Sequence, residues 1–286
     1  MGRRRALASL SLLVLAACAD RPASGPQGPD PEQRYEATGT VLEGGGHGPE
    51  LCLGGIADSL PPQCSGLELV GWDWSGVEGE ESASGTTWGS FDVVGTYDGT
   101  AFTVLEVVGP ATYDRGTGDP VDTPCPEPVG GWTSADVSRA TEDDLTTAVQ
   151  AAEAEPDSAG AWIDYVEEVT NDLVPVPPGG IILTAAFTGD LERHTGEVRE
   201  LWGGPLCVVQ HDRTQRELMR IQSELGGEAG QELGLETTWS ATDIVSNTVQ
   251  LGVVVADQAA RAAVDERYGE GAVLLVPALV PVADTA

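Results

Sequence analysis

Residues 86–110 read TTWGSFDVVGTYDGTAFTVLEVVGP, and this stretch carries the strongest local folding signal in the chain. Two apolar runs rich in β-branched and aromatic residues flank Asp98-Gly99. An Asp-Gly pair between two such runs is typical of a tight primed turn, because both residues tolerate the left-handed backbone that this turn requires. The stretch therefore predicts a β-hairpin, and it lies within a β-rich region that runs from Tyr35 to Val108.

Other segments of this region also predict strands. Residues 35–41, YEATGTV, favour a first strand, and in GLELVGWDW the period-two spacing places Val70, Trp72 and Trp74 on one side. Several short strands with Gly-rich turns predict a small β-barrel or sandwich over residues 35–110. An OB-like barrel, a form that often binds oligonucleotides or sugars, is one version of this prediction.

The segment that follows, residues 111–133, is rich in Pro, Gly and Asp and predicts an irregular connector. It contains three aspartates, which are Asp114, Asp119 and Asp122. They lack the spacing of an EF-hand, so we favour a solvated loop over a loose calcium site.

Residues 134–286 predict helices first and then strands that alternate with helices. Thr141 is a candidate cap for a helix whose apolar face carries Leu145, Ala148, Val149 and Ala152. Helical spacing recurs in a second set: Trp162, Tyr165, Val166 and Val169. Residues 180–189 and 204–210 then favour strands, and the alternation indicates a two-layer α/β sandwich. The expected fold class of the whole chain is α+β.

Two long apolar runs complete this half of the chain. Residues 237–256 alternate with period two, and the apolar residues on one side are Val245, Val249, Leu251, Val253 and Val255. A helix capped by Asp257 follows, and Gly269 ends it. Residues 272–282, AVLLVPALVPV, favour the last strand.

The N-terminus, MGRRRALASLSLLVLAACAD, predicts export from the cytoplasm. Three arginines precede an apolar run over residues 6–17, and a helix of that length reaches only about 18 Å, too short to span a bilayer core of about 30 Å. Residues 15–18, LAAC, resemble the lipobox of bacterial lipoproteins. The resemblance implies a signal peptide over residues 1–17, cleavage before Cys18 and acylation of Cys18, followed by a flexible tether over residues 18–34.

The charge of the chain limits the classes of partner. Its formal net charge is −32, from 14 basic and 46 acidic residues. Nucleic-acid binding requires clustered Lys and Arg, so no nucleic-acid partner is expected. The same acidity opposes attraction to an anionic membrane, and the acylated Cys18 is therefore the expected contact with membrane lipid. The localisation that follows is the outer face of the cell membrane.

Four cysteines remain when Cys18 is set aside, and these are Cys52, Cys64, Cys125 and Cys207. An even number outside the cytoplasm indicates disulfides. The spacing of Cys52 and Cys64 fits neither a CxxC redox pair nor a zinc site. We expect Cys52 to pair with Cys64 and Cys125 with Cys207, although four cysteines allow three connectivities.

No stretch of the sequence has a catalytic signature, and the chain contains no GxSxG motif. His194, His211 and Asp212 form a candidate metal trio if their helix crosses the neighbouring strand, but surface or locally bonded histidines are the favoured alternative. Trp72 and Trp74 are candidates for stacking on a sugar, although core packing is the favoured alternative. No cofactor is expected.

Two further resemblances concern longer stretches. Residues 39–74 together with the hairpin TYDGTAFTV resemble the N-terminal part of uncharacterised lipoproteins from high-G+C Gram-positive bacteria, which implies a secreted β module with a Cys52–Cys64 bridge. Residues 243–276 are similar to pro-regions of secreted serine proteases, at Asn247, Val249, Tyr268 and Gly269. This second resemblance implies an interaction sandwich and no catalysis.

The sequence therefore predicts a membrane-anchored lipoprotein that acts as a binding or interaction module, with an unknown protein or envelope partner. Two alternatives stay open. One is an extracytoplasmic hydrolase or metal-dependent enzyme centred on the candidate trio. The other is a module that resembles a protease inhibitor.

Overall fold

The computed structural model of the protein describes residues 32–111, 123–166 and 176–283. Over these ranges the chain forms five α-helices and thirteen β-strands in three sheets. The α+β class predicted from the sequence is therefore confirmed.

The first sheet contains most of the strands from the N-terminal part of the chain. These are β1 (Arg34–Gly44), β2 (His47–Cys52), β3 (Gly66–Val70), β4 (Glu81–Ala83), β5 (Thr86–Tyr97) and β6 (Ala101–Pro110). The predicted hairpin is confirmed, because β5 and β6 are antiparallel and joined at Asp98–Thr100, where Gly99 has a φ of +96°. Asp98 supports the turn through its side chain, which accepts from the backbone N–H groups of Thr100 and Ala101.

Pairing in this sheet returns to its starting strand. β1 pairs with β2, β2 with β3, β3 with β6 in parallel, β6 with β5, and β5 again with β1. We call this closed set of five strands the circuit. Its interior is apolar, with Val41, Leu51, Phe91 and Phe102 almost fully buried.

Two smaller sheets follow, each with its own helices. The first group consists of α1 (Glu142–Ala154), β7 (Ser158–Tyr165), β8 (Ile181–Phe187), α2 (Leu191–Leu201) and β9 (Leu206–Gln210). The second consists of α3 (Gln215–Leu225), α4 (Glu228–Glu232), β10 (Thr237–Asp243), β11 (Thr248–Val253), α5 (Gln258–Tyr268) and β12 (Val273–Pro277). A short strand, β13 (Val280–Pro281), ends the described chain.

The two groups share one topology. In each, a helix precedes an antiparallel hairpin, and a second helix then leads to a strand parallel to the hairpin's second strand. The ends of the second helices also share a short pattern of Glu, any residue, an aromatic residue and Gly, which is ELWG at residues 200–203 and ERYG at residues 266–269. The predicted α/β region therefore contains two similar three-stranded units.

One predicted helix in this region is wrong. Trp162 and Tyr165 lie in β7, which pairs with β8, and Val166 directly follows that strand. Aromatic and β-branched residues at these positions suit a strand, and pairing with the fully buried β8 outweighs the helical spacing. Val169 lies outside the described residues.

The two long apolar runs also divide differently from the predicted pattern. Residues 237–256 form the β10–β11 hairpin, which turns at Asn247 with a φ of +55°, so Val245 lies in the turn. Residues 272–282 contain two strands, and the second of these, β13, leaves its unit to pair with β1. Pro277 is the last residue of β12, and Pro281 is the last residue of β13.

The C-terminal segment fills part of the circuit's core. Val254 and Leu279 belong to the same buried cluster as Tyr35, Phe91 and Phe102. A hydrogen bond of 2.6 Å from the Tyr97 hydroxyl to Glu236 Oε2 joins the same two parts of the chain. Burial of the Tyr97 hydroxyl, followed by this contact, raises the pKa of Tyr97. Residues that follow β11 and β12 therefore complete the circuit's core, while the last unit keeps an apolar core of its own.

We expect Leu279→Ala to lower the free energy of unfolding by about 2–5 kcal/mol, because it empties a fully buried site in the circuit's core. Urea unfolding followed by tryptophan fluorescence measures this change. Leu274→Ala is the matched control, because Leu274 is 50% exposed and its removal should cost little. Equal effects of the two substitutions would contradict the placement of Leu279 in the circuit's core.

Candidate functional site

Both predicted disulfides are present. Cys52, at the end of β2, pairs with Cys64, and Cys125 pairs with Cys207 of β9. Cys52 and Cys207 are buried, so each bridge is fixed to a strand. Cys18 and the aspartates at positions 114, 119 and 122 lie outside the described residues.

The Cys52–Cys64 bridge closes a loop between β2 and β3 that is braced from within. The Ala57 N–H donates to the Gln63 carbonyl across the loop at 2.8 Å, and the Ser59 hydroxyl donates to the Pro61 carbonyl at 2.8 Å. The Ser59 N–H donates to the Ala57 carbonyl at 2.8 Å, so the backbone bends sharply at Asp58. The Leu60–Pro61 peptide bond is cis.

The base of this loop is packed and its tip is exposed. Gly54 lies so close to β10 that a Cβ there would come within 2.8 Å of the Thr238 carbonyl oxygen. Every residue from Gly55 to Leu60 is exposed, with Ile56 at 40% and Leu60 at 79%. The cysteine spacing predicted the bridge, and the exposure of Ile56 and Leu60 has no counterpart in the sequence pattern.

His194 is 1% exposed on α2, and its ring stacks on Phe187 with 3.7 Å between ring centroids. Its Nε2 lies 2.9 Å from Asp157 Oδ2 and 2.8 Å from Arg193 Nη2. One ring nitrogen cannot both donate and accept, and we assign it as a donor to the carboxylate because an ionised acceptor makes the stronger bond. This hydrogen bond is the first cause that holds the pKa of Asp157 below its usual value.

The surroundings of His194 include the one group of three ligand-type side chains found among the described residues: Glu155, Asp157 and His194. Arg193 occupies the same space, with Nη1 at 3.2 Å from Glu155 and Nη2 at 3.9 Å from Asp157. A guanidinium already neutralises the carboxylates that a cation would need. The arrangement is therefore an ion-pair network around a buried imidazole, and no spacing in the sequence pointed to its acidic members, Glu155 and Asp157.

His211 and Asp212 do not join His194 in that group, so the predicted trio does not assemble. They lie after β9 in a polar cleft of about 270 Å³, which Arg213, Asn247 and Glu270 also line. Asn247 holds the cleft together, since its amide accepts from the Arg213 N–H and donates to the Arg213 carbonyl. Burial, opposed by the charge of Asp212, lowers the pKa of His211.

Trp72 and Trp74 are half-buried and packed against the circuit's core, which agrees with the favoured core alternative. The two rings meet edge to face at 5.3 Å between centroids, and Trp72 meets Phe91 in the same way at 4.9 Å. Trp74 also donates from Nε1 to Glu43 Oε2 at 2.6 Å. β3 ends at Val70 and Trp74 begins a 3₁₀ turn, so the predicted alternation stops before these residues.

In the part of the chain that the structure describes, no helix combines the length and apolarity needed to cross a bilayer. No protein-family model matches the chain, and no curated protein is detectably similar to it in sequence.

The Asp157–His194 hydrogen bond should make stability depend on acidic pH. A carboxyl whose pKa is lower in the folded state stabilises the fold above its unfolded pKa of about 3.9, and this contribution is lost as the pH falls through the folded pKa. We expect Asp157→Asn to lower the unfolding free energy at pH 7 by about 1 kcal/mol and to flatten its decline below about pH 4.

Urea titrations at a series of pH values measure this dependence. Asp212→Asn is the control, because Asp212 is exposed and makes no such bond to His194. An unchanged pH profile in the Asp157 variant would contradict the assignment.

We also expect neither Zn²⁺ nor a chelator to change the melting temperature, because Arg193 already contacts both carboxylates near His194. Differential scanning calorimetry with and without the metal tests this expectation. The variant Arg193→Ala removes the competing cation. A Zn²⁺-dependent rise in the wild type would contradict the ion-pair assignment.

Proposed function

We propose that the protein is a lipid-anchored lipoprotein on the outer face of the cell membrane, where it acts as a binding or interaction module. The proposal joins two parts of the chain. Residues 15–18 resemble a lipobox, which is a signal for lipidation. The folded part contains two disulfides, which are typical of an oxidising compartment. The observation that carries the proposal is this combination of a lipobox with fully paired cysteines downstream.

The anchoring function has a simple physical basis. Each acyl CH₂ group buried in the bilayer contributes about 0.8 kcal/mol, so two or three chains on Cys18 would hold the protein firmly. Residues 19–33, ADRPASGPQGPDPEQ, would then connect the lipid to a strongly acidic fold that an anionic bilayer repels. The protein would be held near the membrane without lying on it.

We further propose that the circuit is a small barrel of the OB type. Numbered within the circuit alone, its strands have the order 1-2-3-5-4-1, with the third and fifth parallel. This order supports a closed scaffold from whose strand ends loops project. A net charge of −32 directs such loops toward ligands other than nucleic acid.

The enzyme alternative has less support from the geometry. The described residues place His194 in an ion-pair network with Arg193, and His211 lies in a different cleft. The binding function is supported by an exposed loop between β2 and β3 that internal hydrogen bonds hold in place. For this reason we favour binding over catalysis.

Replacement of Cys18 tests the anchor. In cells that express the full chain, we expect the wild type in the membrane fraction, with acyl groups detected by mass spectrometry at a Cys18 N-terminus. Cys18→Ser should abolish the acylation and release the protein from washed membranes. The control is Cys125→Ser/Cys207→Ser, which removes two cysteines and should leave the membrane association intact. Full-length, unmodified wild-type chain in the cytosol would refute the proposal.

A further inference from the structure

The sheet of β10, β11 and β12 has helices on only one of its faces. On that face Val249, Leu251 and Val253 of β11 pack in one apolar cluster with residues of α3 and α5. The other face, which we call the open face, is built from the alternate residues of β10 and β11, and these are Trp239, Ala241, Asp243, Thr248, Gln250 and Gly252. Trp239 and Ala241 are exposed on it.

Trp239 is the only exposed tryptophan among the described residues, and its ring is held in place from below. The indole lies over Gly252 of the neighbouring strand, since a Cβ at Gly252 would overlap it. The strand that carries Trp239 is fixed from the helical face, where the Gln222 amide of α3 donates to the Ser240 hydroxyl at 3.1 Å and accepts from the Thr242 hydroxyl at 2.8 Å. The aromatic surface is therefore preorganised, which lowers the entropy lost when a ligand binds.

A polar pair lies beside this ring. The Asp243 carboxylate accepts from the Val245 and Ser246 N–H groups at 3.0 and 3.1 Å, and its other oxygen accepts from Gln250 Nε2 at 3.0 Å. The turn thus fixes Asp243, and Asp243 fixes the Gln250 amide. The amide still has its carbonyl oxygen and a second N–H for a ligand, one acceptor next to one donor. Two neighbouring hydroxyl groups on a ring match this pattern.

The first three-stranded unit has a corresponding pair, and a hydroxyl group lies on it. Thr184 of β8 donates to Asp164 of β7 at 3.4 Å, and both side chains are buried. In both units the aspartate stands two residues beyond the cross-strand neighbour of the donor. The hydroxyl of Thr123, from the connector, lies 3.5 Å from the Thr184 hydroxyl. The corresponding place beside Gln250 is therefore suited to a hydroxyl group of a ligand.

The size of the open face limits the kind of ligand. Strands of six or seven residues are about 20 Å long, and three paired strands are about 10 Å across. This area is well below the roughly 800 Å² that each partner contributes to a stable protein interface. Gln250 is the diagonal cross-strand neighbour of Trp239, at about 7–8 Å, so a ligand that reaches both is small and elongated.

We propose that the open face binds an uncharged oligosaccharide, with one sugar ring stacked on Trp239 and hydroxyl groups of the next ring hydrogen-bonded to Gln250. The apolar C–H face of a sugar ring suits the indole, and its hydroxyl groups suit the amide. The net charge of −32, together with Asp243, repels anionic sugars. This inference deepens the proposed binding function and rests on it for the access of the site to the cell envelope.

Calorimetric titration of the purified full chain with cellotetraose and with tetra-N-acetylchitotetraose tests the proposal. The protein is kept in a detergent without a sugar headgroup, which would itself compete. We expect saturable binding of at least one of these probes. Trp239→Ala should weaken it about tenfold or more, because stacking is lost. Gln250→Leu should weaken it about threefold or more, because it removes the hydrogen bonds and keeps a side chain of similar size.

Three controls separate the site from general effects. Trp239→Phe keeps an aromatic ring over Gly252 and should lose less affinity than Trp239→Ala. Met219→Ala removes a side chain that is 58% exposed on α3, at the helical side of the same unit, and should bind as the wild type does. Tetragalacturonate, an anionic tetrasaccharide, should bind more weakly than the uncharged probes. Circular dichroism confirms that each variant is folded.

The outcomes are independent of the membrane anchor. The inference is overturned if neither uncharged probe binds at about 10 mM, or if the wild type and folded Trp239→Ala bind equally. Tetragalacturonate that binds as tightly as the uncharged probes overturns it too, and so does a protein partner that needs Trp239 while neither sugar binds. Mass spectrometry of the same preparation reports acylation at Cys18, so a failure of the sugar site leaves the lipoprotein proposal standing.

Discussion

The antiparallel pairing of β1 with β5 is the constraint on which the rest of the structure depends. It runs without interruption from Arg34–Thr96 to Glu43–Thr87 and joins the first strand of the circuit to the strand of the central hairpin. Without this pairing, β1, β2, β3, β6 and β5 would be an open sheet with two long edges. Closure turns one face of every strand inward, and the aromatic residues Phe91 and Phe102 fill the enclosed space. The same closure fixes the ends of β2 and β3, between which the disulfide loop projects.

A closed circuit also explains why the chain returns to it at its C-terminus. Val254 and Leu279 complete its core, and β13 adds to β1 at the end of β1 that lies before its pairing with β2. The last three-stranded unit is thereby attached through apolar contacts. With a net charge of −32, an interface between charged surfaces would be weakened by repulsion among acidic groups, whereas apolar contacts are not. Basic side chains are few, and several of them act locally, as Arg193 does beside Glu155, Asp190 and Glu197.

The parts of this fold that the sequence predicted are those controlled by local chemistry. Asp98-Gly99 marked its hairpin, Thr141 caps its helix as predicted, and the cysteines paired as expected. Long-range pairing overrode local spacing in β7, where Trp162 and Tyr165 follow a helical interval but pair with the buried strand β8. The candidate sites failed for the same reason. His194 contacts Asp157 because α2 packs on the turn that contains Asp157. The two residues are 37 positions apart, so their spacing along the chain does not predict this contact.

The two similar units show which of their features are general and which are specific. At matching positions Trp202 and Tyr268 precede a glycine, and Val198 and Val264 are buried on the second helix of each unit. Where the first unit has the half-cystine Cys207, the second has Val273, and both side chains are buried. A valine suffices for the core at that position, so the Cys125–Cys207 bridge is not required by the unit itself. Its effect is to hold the connector against β9, much as the Cys52–Cys64 bridge holds a loop against β2. Both disulfides therefore fix irregular segments onto sheets that are already closed or covered, which is where a cross-link limits motion that packing alone does not.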